Sequence, residues 1–250
     1  MVKADEYTVL VVGATSSIAK SYIRLIIENC NKDSKKLKLI LFARNQERLH
    51  HDAKDYQARG AFVAYESLDL LDVKSTSKLK KYKNINQALI FHGSLTDNDL
   101  VHDLLYLEEQ LRINFSSYVI WSEFLVKIFL NQKNGHLVLI GSVAGDRGRS
   151  SNYIYGAAKS GIETYFNGLD HRLNNEKNIN ILLVKPGLID SRMTKDFNKN
   201  FLWSSPDKVA QNIYNGIKKK KRIIYTPSYW IIIMLIIKAI PRFIFNKTDF

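Results

Sequence analysis

Apolar residues along this chain gather in short blocks separated by amphipathic stretches. Residues 7–12 form a β-branched apolar run that ends at Gly13, and beyond it Ile18, Tyr22, Ile23, Ile26 and Ile27 recur at helical spacing. This pattern predicts strand, tight turn and helix. A second run over 37–43 leads into a polar helical segment over 46–57, and a third over 62–66 precedes another polar stretch. Runs at 88–91, 137–140 and 179–184 continue the strands, with helices predicted near 104–131, 153–175 and 207–219. Ser205 and Pro206 supply a cap and a first-turn residue for the last helix.

Strands that are apolar almost throughout, alternating with helices, imply a parallel sheet covered on both faces. The fold class expected is therefore α/β with a doubly wound sheet, in which ligands bind beyond the carboxyl ends of the strands. The chain shows no internal repeat and no low-complexity linker, so one main domain is expected. Its 250 residues, 46% of them hydrophobic, suffice for a two-sided core.

Composition narrows the setting. The lone Cys30 forms no internal disulfide, which points to a reducing, cytoplasmic compartment, and the six histidines lack ligand spacing, so no metal is expected. Residues 1–6 do not resemble a charged leader ahead of a long apolar run, so no secretion signal is expected. The formal charge of +13 suits an anionic partner, and the densest cluster is Lys218, Lys219, Lys220, Lys221 and Arg222. Nucleic-acid binding pairs such a surface with a reading motif or an aromatic platform. Here the basic run leads instead to an apolar stretch over 230–240, which favours an anionic membrane surface and no nucleic acid.

The candidate chemistry lies in Tyr155-Gly156-Ala157-Ala158-Lys159, which puts a phenol and an ammonium one helical turn apart on the same face. Chance also makes such pairs, since Tyr214 is followed four residues later by Lys218. Ser142 separates the two cases: it lies thirteen residues before Tyr155 at the end of an apolar strand, whereas the same offset before Tyr214 gives Phe201. A phenol with its usual pKa near 10 is a poor base at neutral pH, and a neighbouring cation favours the phenolate. A serine hydroxyl beside it can donate to negative charge developing on a substrate oxygen.

Over residues 7–227 the chain resembles the short-chain dehydrogenase/reductase family, on Ser142, Tyr155, Lys159, Asn114 and the Pro186-Gly187 turn in their expected order. The resemblance implies a Rossmann-like catalytic domain over 1–227 that moves a hydride between a nicotinamide cofactor and a carbonyl or alcohol. It implies Tyr155 as general acid/base, Lys159 on the nicotinamide ribose, Ser142 on the substrate oxygen and Asn114 supporting a proton-relay water. The family's glycine-rich turn reads Gly13-Ala14-Thr15-Ser16-Ser17-Ile18-Ala19 here, so Ser17 and Ala19 replace its later glycines. Small residues still admit a pyrophosphate at a helix N-terminus, with Thr15, Ser16, Ser17 and Ile18 as its neighbours. Where an acidic residue would hold the ribose of NAD(H), the sequence has Arg44, whose guanidinium suits a ribose phosphate, so NADP(H) is expected. By the same resemblance Asp69 and Leu70 flank the adenine, Gly93 meets the adenosine ribose, and Pro186, Gly187, Ile189 and Ser191 line the nicotinamide end. His92 stands before Gly93 either as a cofactor contact or as a structural strand-end residue.

Residues 188–204 are expected to form a lid carrying Met193, Phe197, Phe201 and Trp203, unless those side chains merely seal the core. The 228–250 tail is too short in apolar residues to span a bilayer, and it suits either the lipid interface or packing on the subunit or a second copy. The turn and tail are similar to the family branch that contains decaprenylphosphoryl-2-keto-ribose reductase. That likeness implies a ketone on a polyprenyl-phosphate-linked sugar and a place at the inner face of the cytoplasmic membrane. A reductase of other apolar ketones, such as steroids or acyl chains, and a nucleotide-sensing module without turnover remain open. A homo-oligomer is expected.

Overall fold

A computed structural model describes residues 6–248; Met1 to Asp5, most of the stretch read as lacking a leader, and the tail's last two residues lie outside the described residues. The apolar runs form strands β1 (Glu6–Val12), β2 (Lys36–Ala43), β3 (Phe62–Ser67), β4 (Gln87–Ile90), β5 (Gly135–Ile140), β6 (Ile179–Pro186) and β7 (Ile223–Thr226). They join in one parallel sheet, in the order β3-β2-β1-β4-β5-β6-β7. The sheet is doubly wound, as expected. Strand β7 is not among those the sequence predicts, because its four residues follow a run of basic ones, and pairing with β6 from Leu183–Ile223 onward defines it.

The helices are α1 (Ser17–Lys32), α2 (Gln46–Ala58), α3 (Leu104–Leu111), α4 (Ser117–Gln132), α5 (Tyr153–Arg172), α6 (Pro206–Lys218), α7 (Trp230–Ala239) and α8 (Arg242–Phe245). Strand side chains alternate between two cores, as the pleat requires. Val9 and Val11 pack with α1 and α6, whereas Leu10 and Val12 pack with α4 and α5. Ser205 caps α6 by accepting from the Lys208 amide, with Pro206 in the first turn.

The helix expected near 104–131 is interrupted by a π-turn over Arg112–Ser116, which holds Asn114. Taken together, Leu104–Gln132 is long and apolar enough to cross a membrane by length and composition. Its buried Trp121, Leu125 and Phe129 belong to the core of the sheet, which accounts for that character.

The basic run does not flank the tail. Lys218 ends α6 and the cluster enters β7 at the amino edge of the sheet, whereas α7 leaves from the carboxyl edge. Four strand residues, about 13 Å at 3.3 Å each, separate them. Sequence adjacency misleads here because a strand carries the chain across the whole sheet.

Candidate active site

The order of strands reverses between β1 and β4, and the crevice outside their carboxyl ends is where a doubly wound sheet receives ligands. Gly13 shapes one side. Its φ of 81° suits glycine, its amide donates to Phe42 O at 2.8 Å, and an added Cβ would stand 2.8 Å from His92 Cα. Thr15 and Ser16 follow it, and Ser16 caps α1 through its backbone with no side-chain bond to the first-turn amides. Ser17 opens the helix while Ile18 leans on the α1–α6 core. The lid arches over this turn, with the Arg192 amide 3.5 Å from Ser17 Oγ.

Around the crevice lie the other expected cofactor neighbours. Arg44 is exposed just past β2, its carbonyl held by Ser67 Oγ at 2.9 Å. Asp69 turns back on its own loop, accepting from the Leu71 amide, and Leu70 is buried with its carbonyl bound by the Trp121 indole at 2.9 Å. Gly93 sits where a side chain would press on Asn114 Oδ1 at 3.2 Å and approach Lys159 Nζ at 3.9 Å.

His92 has a structural role on one side: its Nε2 pairs with Ser117 Oγ at 2.7 Å, and its carbonyl accepts from the Tyr118 hydroxyl. Burial, with Lys159 and Arg44 adding to it, pushes its pKa down to about 3, so the ring stays neutral. Its Nδ1 is buried without a hydrogen-bond partner.

Asn114, Ser142, Tyr155 and Lys159 come to the same end of the sheet. Asn114 is buried, accepts from the Ser94 amide at 3.1 Å and donates to Gln110 O at 3.1 Å, so it braces the loop after β4. Ser142 lies two residues past the end of β5 and caps the next turn by accepting from the Ala144 amide at 3.1 Å. Tyr155 and Lys159 occupy successive turns of α5, with Nζ 5.6 Å from the Tyr155 ring centre.

Electrostatics departs from the expectation that the lysine lowers the phenol. Burial pushes Tyr155 up to about 12, while its hydrogen bond with Ser142 pulls the other way. Lys159 is itself pushed down to about 7 by burial; its Nζ donates to Ile140 O at 3.0 Å and lies 4.5 Å from the centre of the Tyr118 ring. Burial thus favours the protonated phenol at Tyr155.

Beyond β6, Gly187 meets α7 directly, and a Cβ there would overlap the Trp230 indole. Ile189 is buried in the α1–α6 core, its carbonyl taken by Thr194 Oγ1 at 2.6 Å, and Ser191 caps the turn that holds Thr194. Of the four side chains expected in the lid, Met193, Phe197 and Phe201 are exposed, Phe201 at 89%, while Trp203 is half-buried with its ring near that of Phe197.

Sequence reasoning missed what lies behind Ser142. Lys185, 2% exposed, pairs with Asp146 and, at 2.6 Å, with Glu163, while Tyr225 donates to Asp146 at 2.8 Å. Burial lowers the Lys185 pKa, but the bonds with Asp146 and Glu163 outweigh it and the net shift is upward. A lysine closing an apolar strand was the available signal, since a buried charge requires partners.

A family model described as short chain dehydrogenase matches residues 7–201. An uncharacterized oxidoreductase of Mycobacterium tuberculosis is 26% identical over 216 residues, 84% of this chain and 86% of that protein. A 3-oxoacyl-[acyl-carrier-protein] reductase of Buchnera aphidicola is 31% identical over 167 residues, 59% of this chain and 67% of its own. Among solved structures, a short-chain dehydrogenase from Sphingobium yanoikuyae in complex with NADPH matches with a TM-score of 0.78 at 18% identity, over 94% of this chain and 97% of that one. An actinorhodin polyketide ketoreductase with NADPH matches with a TM-score of 0.74 at 18% identity, over 90% of this chain and 97% of that one.

Proposed function

Because this chain belongs to the short-chain dehydrogenase/reductase family, we propose that it uses NADPH to reduce a ketone whose apolar part stays in a membrane. The observation that carries the reaction is the meeting of Asn114, Ser142, Tyr155 and Lys159 at one end of the sheet, with Ser142 hydrogen-bonded to the Tyr155 phenol. A phenol that keeps its proton is a general acid, which is the partner that ketone reduction requires.

The crevice fits a dinucleotide. The first-turn amides of α1 have no side-chain cap, His92 Nδ1 is a buried atom without a partner, and the Lys159 ammonium spends one donor on Ile140 O at 3.0 Å. We assign the phosphates to Gly13, Thr15, Ser16, Ser17 and Ile18, and the adenosine to Asp69, Leu70 and Gly93. The nicotinamide end goes to Lys159, Tyr155, Pro186, Gly187, Ile189 and Ser191. Arg44 meets the ribose phosphate, which favours NADP(H) over NAD(H), and the structural neighbours bound to NADPH support that choice. The chemistry such a cofactor supplies when bound is hydride transfer. Tyr155 would deliver a proton to the substrate oxygen, Ser142 would donate a hydrogen bond to that oxygen, and Lys159 would hold the ribose hydroxyls. Asn114 keeps the loop after β4 in place for a relay water. Oxidation of the alcohol runs through the same groups in reverse.

The substrate class rests on the mouth of the site. Met193, Phe197 and Phe201 are exposed on the segment whose Leu202 packs against α7 and accepts from the hydroxyl of Tyr229, just before that helix, at 2.9 Å. The outer face of α7 exposes Ile231, Ile232, Leu235 and Ile236, and Phe243 continues it. An apolar patch of that kind marks an interaction surface, and Arg192, Lys238 and Arg242 give it the sign that anionic headgroups attract, whereas Lys195 and Lys199 pair with Asp196 and Asp190. The finer reading is a keto-sugar carried on a polyprenyl phosphate, reduced at the inner face of the cytoplasmic membrane. A second reading, a 3-oxoacyl chain, is favoured by the Buchnera relative.

We also assign a second copy of the chain to the open groove of about 650 Å³ along α5, where Thr164 and Gly168 permit close helix approach and a side chain at Gly168 would meet only open space. Sedimentation velocity of purified protein tests it, and a strictly monomeric species refutes it.

Oxidation of NADPH, followed by absorbance with lipid-linked keto-sugars, 3-oxoacyl thioesters and small ketones, tests the reaction. Turnover of the lipid-linked sugar in vesicles is expected. Turnover confined to acyl substrates favours the second reading, and cofactor binding without turnover of any ketone leaves a nucleotide-sensing module.

A further inference from the structure

The C-terminal segment reaches the loops that carry the reaction centre, and one side chain holds it there. Arg147 follows Ser142 by five residues in the connection from β5 to α5. Its guanidinium donates to the carbonyls of Ile237, Lys238 (3.3 Å) and Ile240 (2.7 Å), and lies 3.7 Å from the centre of the Phe245 ring. Those carbonyls close α7, where a helix leaves acceptors unpaired and its dipole is negative, so a cation with several donors is well matched. On its inner side α7 packs Trp230, Met234 and Ile237 with Val143, the neighbour of Ser142, and Trp230 covers Gly187. The tail therefore touches both loops that flank Tyr155.

The loop itself is fixed from two other directions. Glycines let its first turn rest on α5 backbone: a Cβ at Gly145 would stand 2.8 Å from Lys159 C, and one at Gly156 would stand 2.8 Å from Ala144 O. Asp146 is drawn toward the sheet by Lys185 and Tyr225. Arg147 pulls outward onto α7. The segment from Ser142 to Arg147 is thus held by α5, by a buried ion pair and by the tail, and only the third hold depends on residues distant from the catalytic helix and strands.

We propose that Arg147 is a positioning residue for Ser142: by capping α7 it fixes the loop that aims the serine hydroxyl, and it makes the C-terminal segment a wall of the catalytic cleft. The proposal rests on the reading of Ser142 as a donor to the substrate oxygen. Displacing a group from its productive geometry by about 1 Å costs on the order of 100-fold in rate, so a loosened loop is readable in turnover.

The test uses full-length Arg147→Ala and Arg147→Lys. Hydrogen exchange reports on amides of 142–146 and 230–245, and kinetics use a small soluble ketone that the wild type reduces. In Arg147→Ala both segments are expected to exchange faster, with kcat down about 10- to 100-fold and KM for NADPH within about twofold. Arg147→Lys, which keeps the charge but loses the fork, is expected to recover part of kcat. Phe245→Ala, which removes only the ring beneath the guanidinium, gives a milder version if Arg147→Ala does not fold. A tail that loosens while kcat and the 142–146 amides stay unchanged overturns the proposal, as does a tail whose protection ignores Arg147. A wild type that reduces no ketone refutes the reductase reading, while the exchange of 142–146 still decides whether Arg147 holds the loop.

Discussion

The Lys159 ammonium lies 4.5 Å from the centre of the Tyr118 ring and donates a 3.0 Å hydrogen bond to Ile140 O, enclosed between β5 and two helices. Burial brings its pKa down from 10.5 to about 7, so the charged form is costly in the folded protein. Between pH 7 and 10.5 the unfolded chain binds this proton and the folded one does not, so stability rises with pH through that window. Lys159→Met is therefore expected to melt higher than the wild type at pH 6 to 7, with the gap closing as pH approaches 10.5, and to lose turnover. Melting curves across pH check this; a variant that melts lower at pH 7 refutes it.

Tyr155→Phe is expected to lower kcat by about 100- to 10,000-fold while cofactor affinity and melting stay close to wild type, because only the transferable proton is removed. Burial pushes the Tyr155 pKa up to about 12, so the phenol form persists across the neutral range. Ketone reduction is accordingly expected to hold steady near neutrality and decline at alkaline pH, whereas alcohol oxidation, which needs the phenolate, rises with pH. Opposite slopes in the two directions check the sign.

Arg44→Ala should lose most of the preference for NADPH over NADH. A hydrogen-bonded charge pair contributes about 1.5–3 kcal/mol, which corresponds to about 10- to 100-fold in the ratio of kcat/KM values. Equal efficiencies with both cofactors in the wild type would remove the role from Arg44.

Vesicle binding separates the lipid surface from a protein contact. Full-length protein is expected to cosediment with anionic vesicles, less so as salt rises, with a residue of binding that salt does not remove. Replacing Ile232, Leu235 and Ile236 by serine on the outer face of α7 should abolish that salt-resistant part. Protein that ignores vesicles but changes its oligomeric state in this variant shows that the face meets another protein copy.

Much of this protein was legible in one dimension because its periodicities are local. The alternation of 7–12 with the helical spacing from Ile18 to Ile27, repeated along the chain, determines a parallel sheet between helix layers, since each element shows which face it buries. Tyr155 and Lys159 could be paired because one helical turn joins them, and Ser142 because a strand end precedes them at a short offset. Tertiary structure decided the rest. The Tyr155 phenol is raised rather than lowered because its burial is the sum of contacts from several elements, and Lys159 meets Tyr118 only once α4 and α5 pack on the sheet. Lys185 finds Asp146 and Glu163 across three elements, and the basic run and the apolar tail, neighbours in the chain, are parted by the strand between them. Arg147 and Ile240 lie 93 positions apart, and nothing local marks the pair, because the carbonyls that close α7 exist only where that helix ends against the loop.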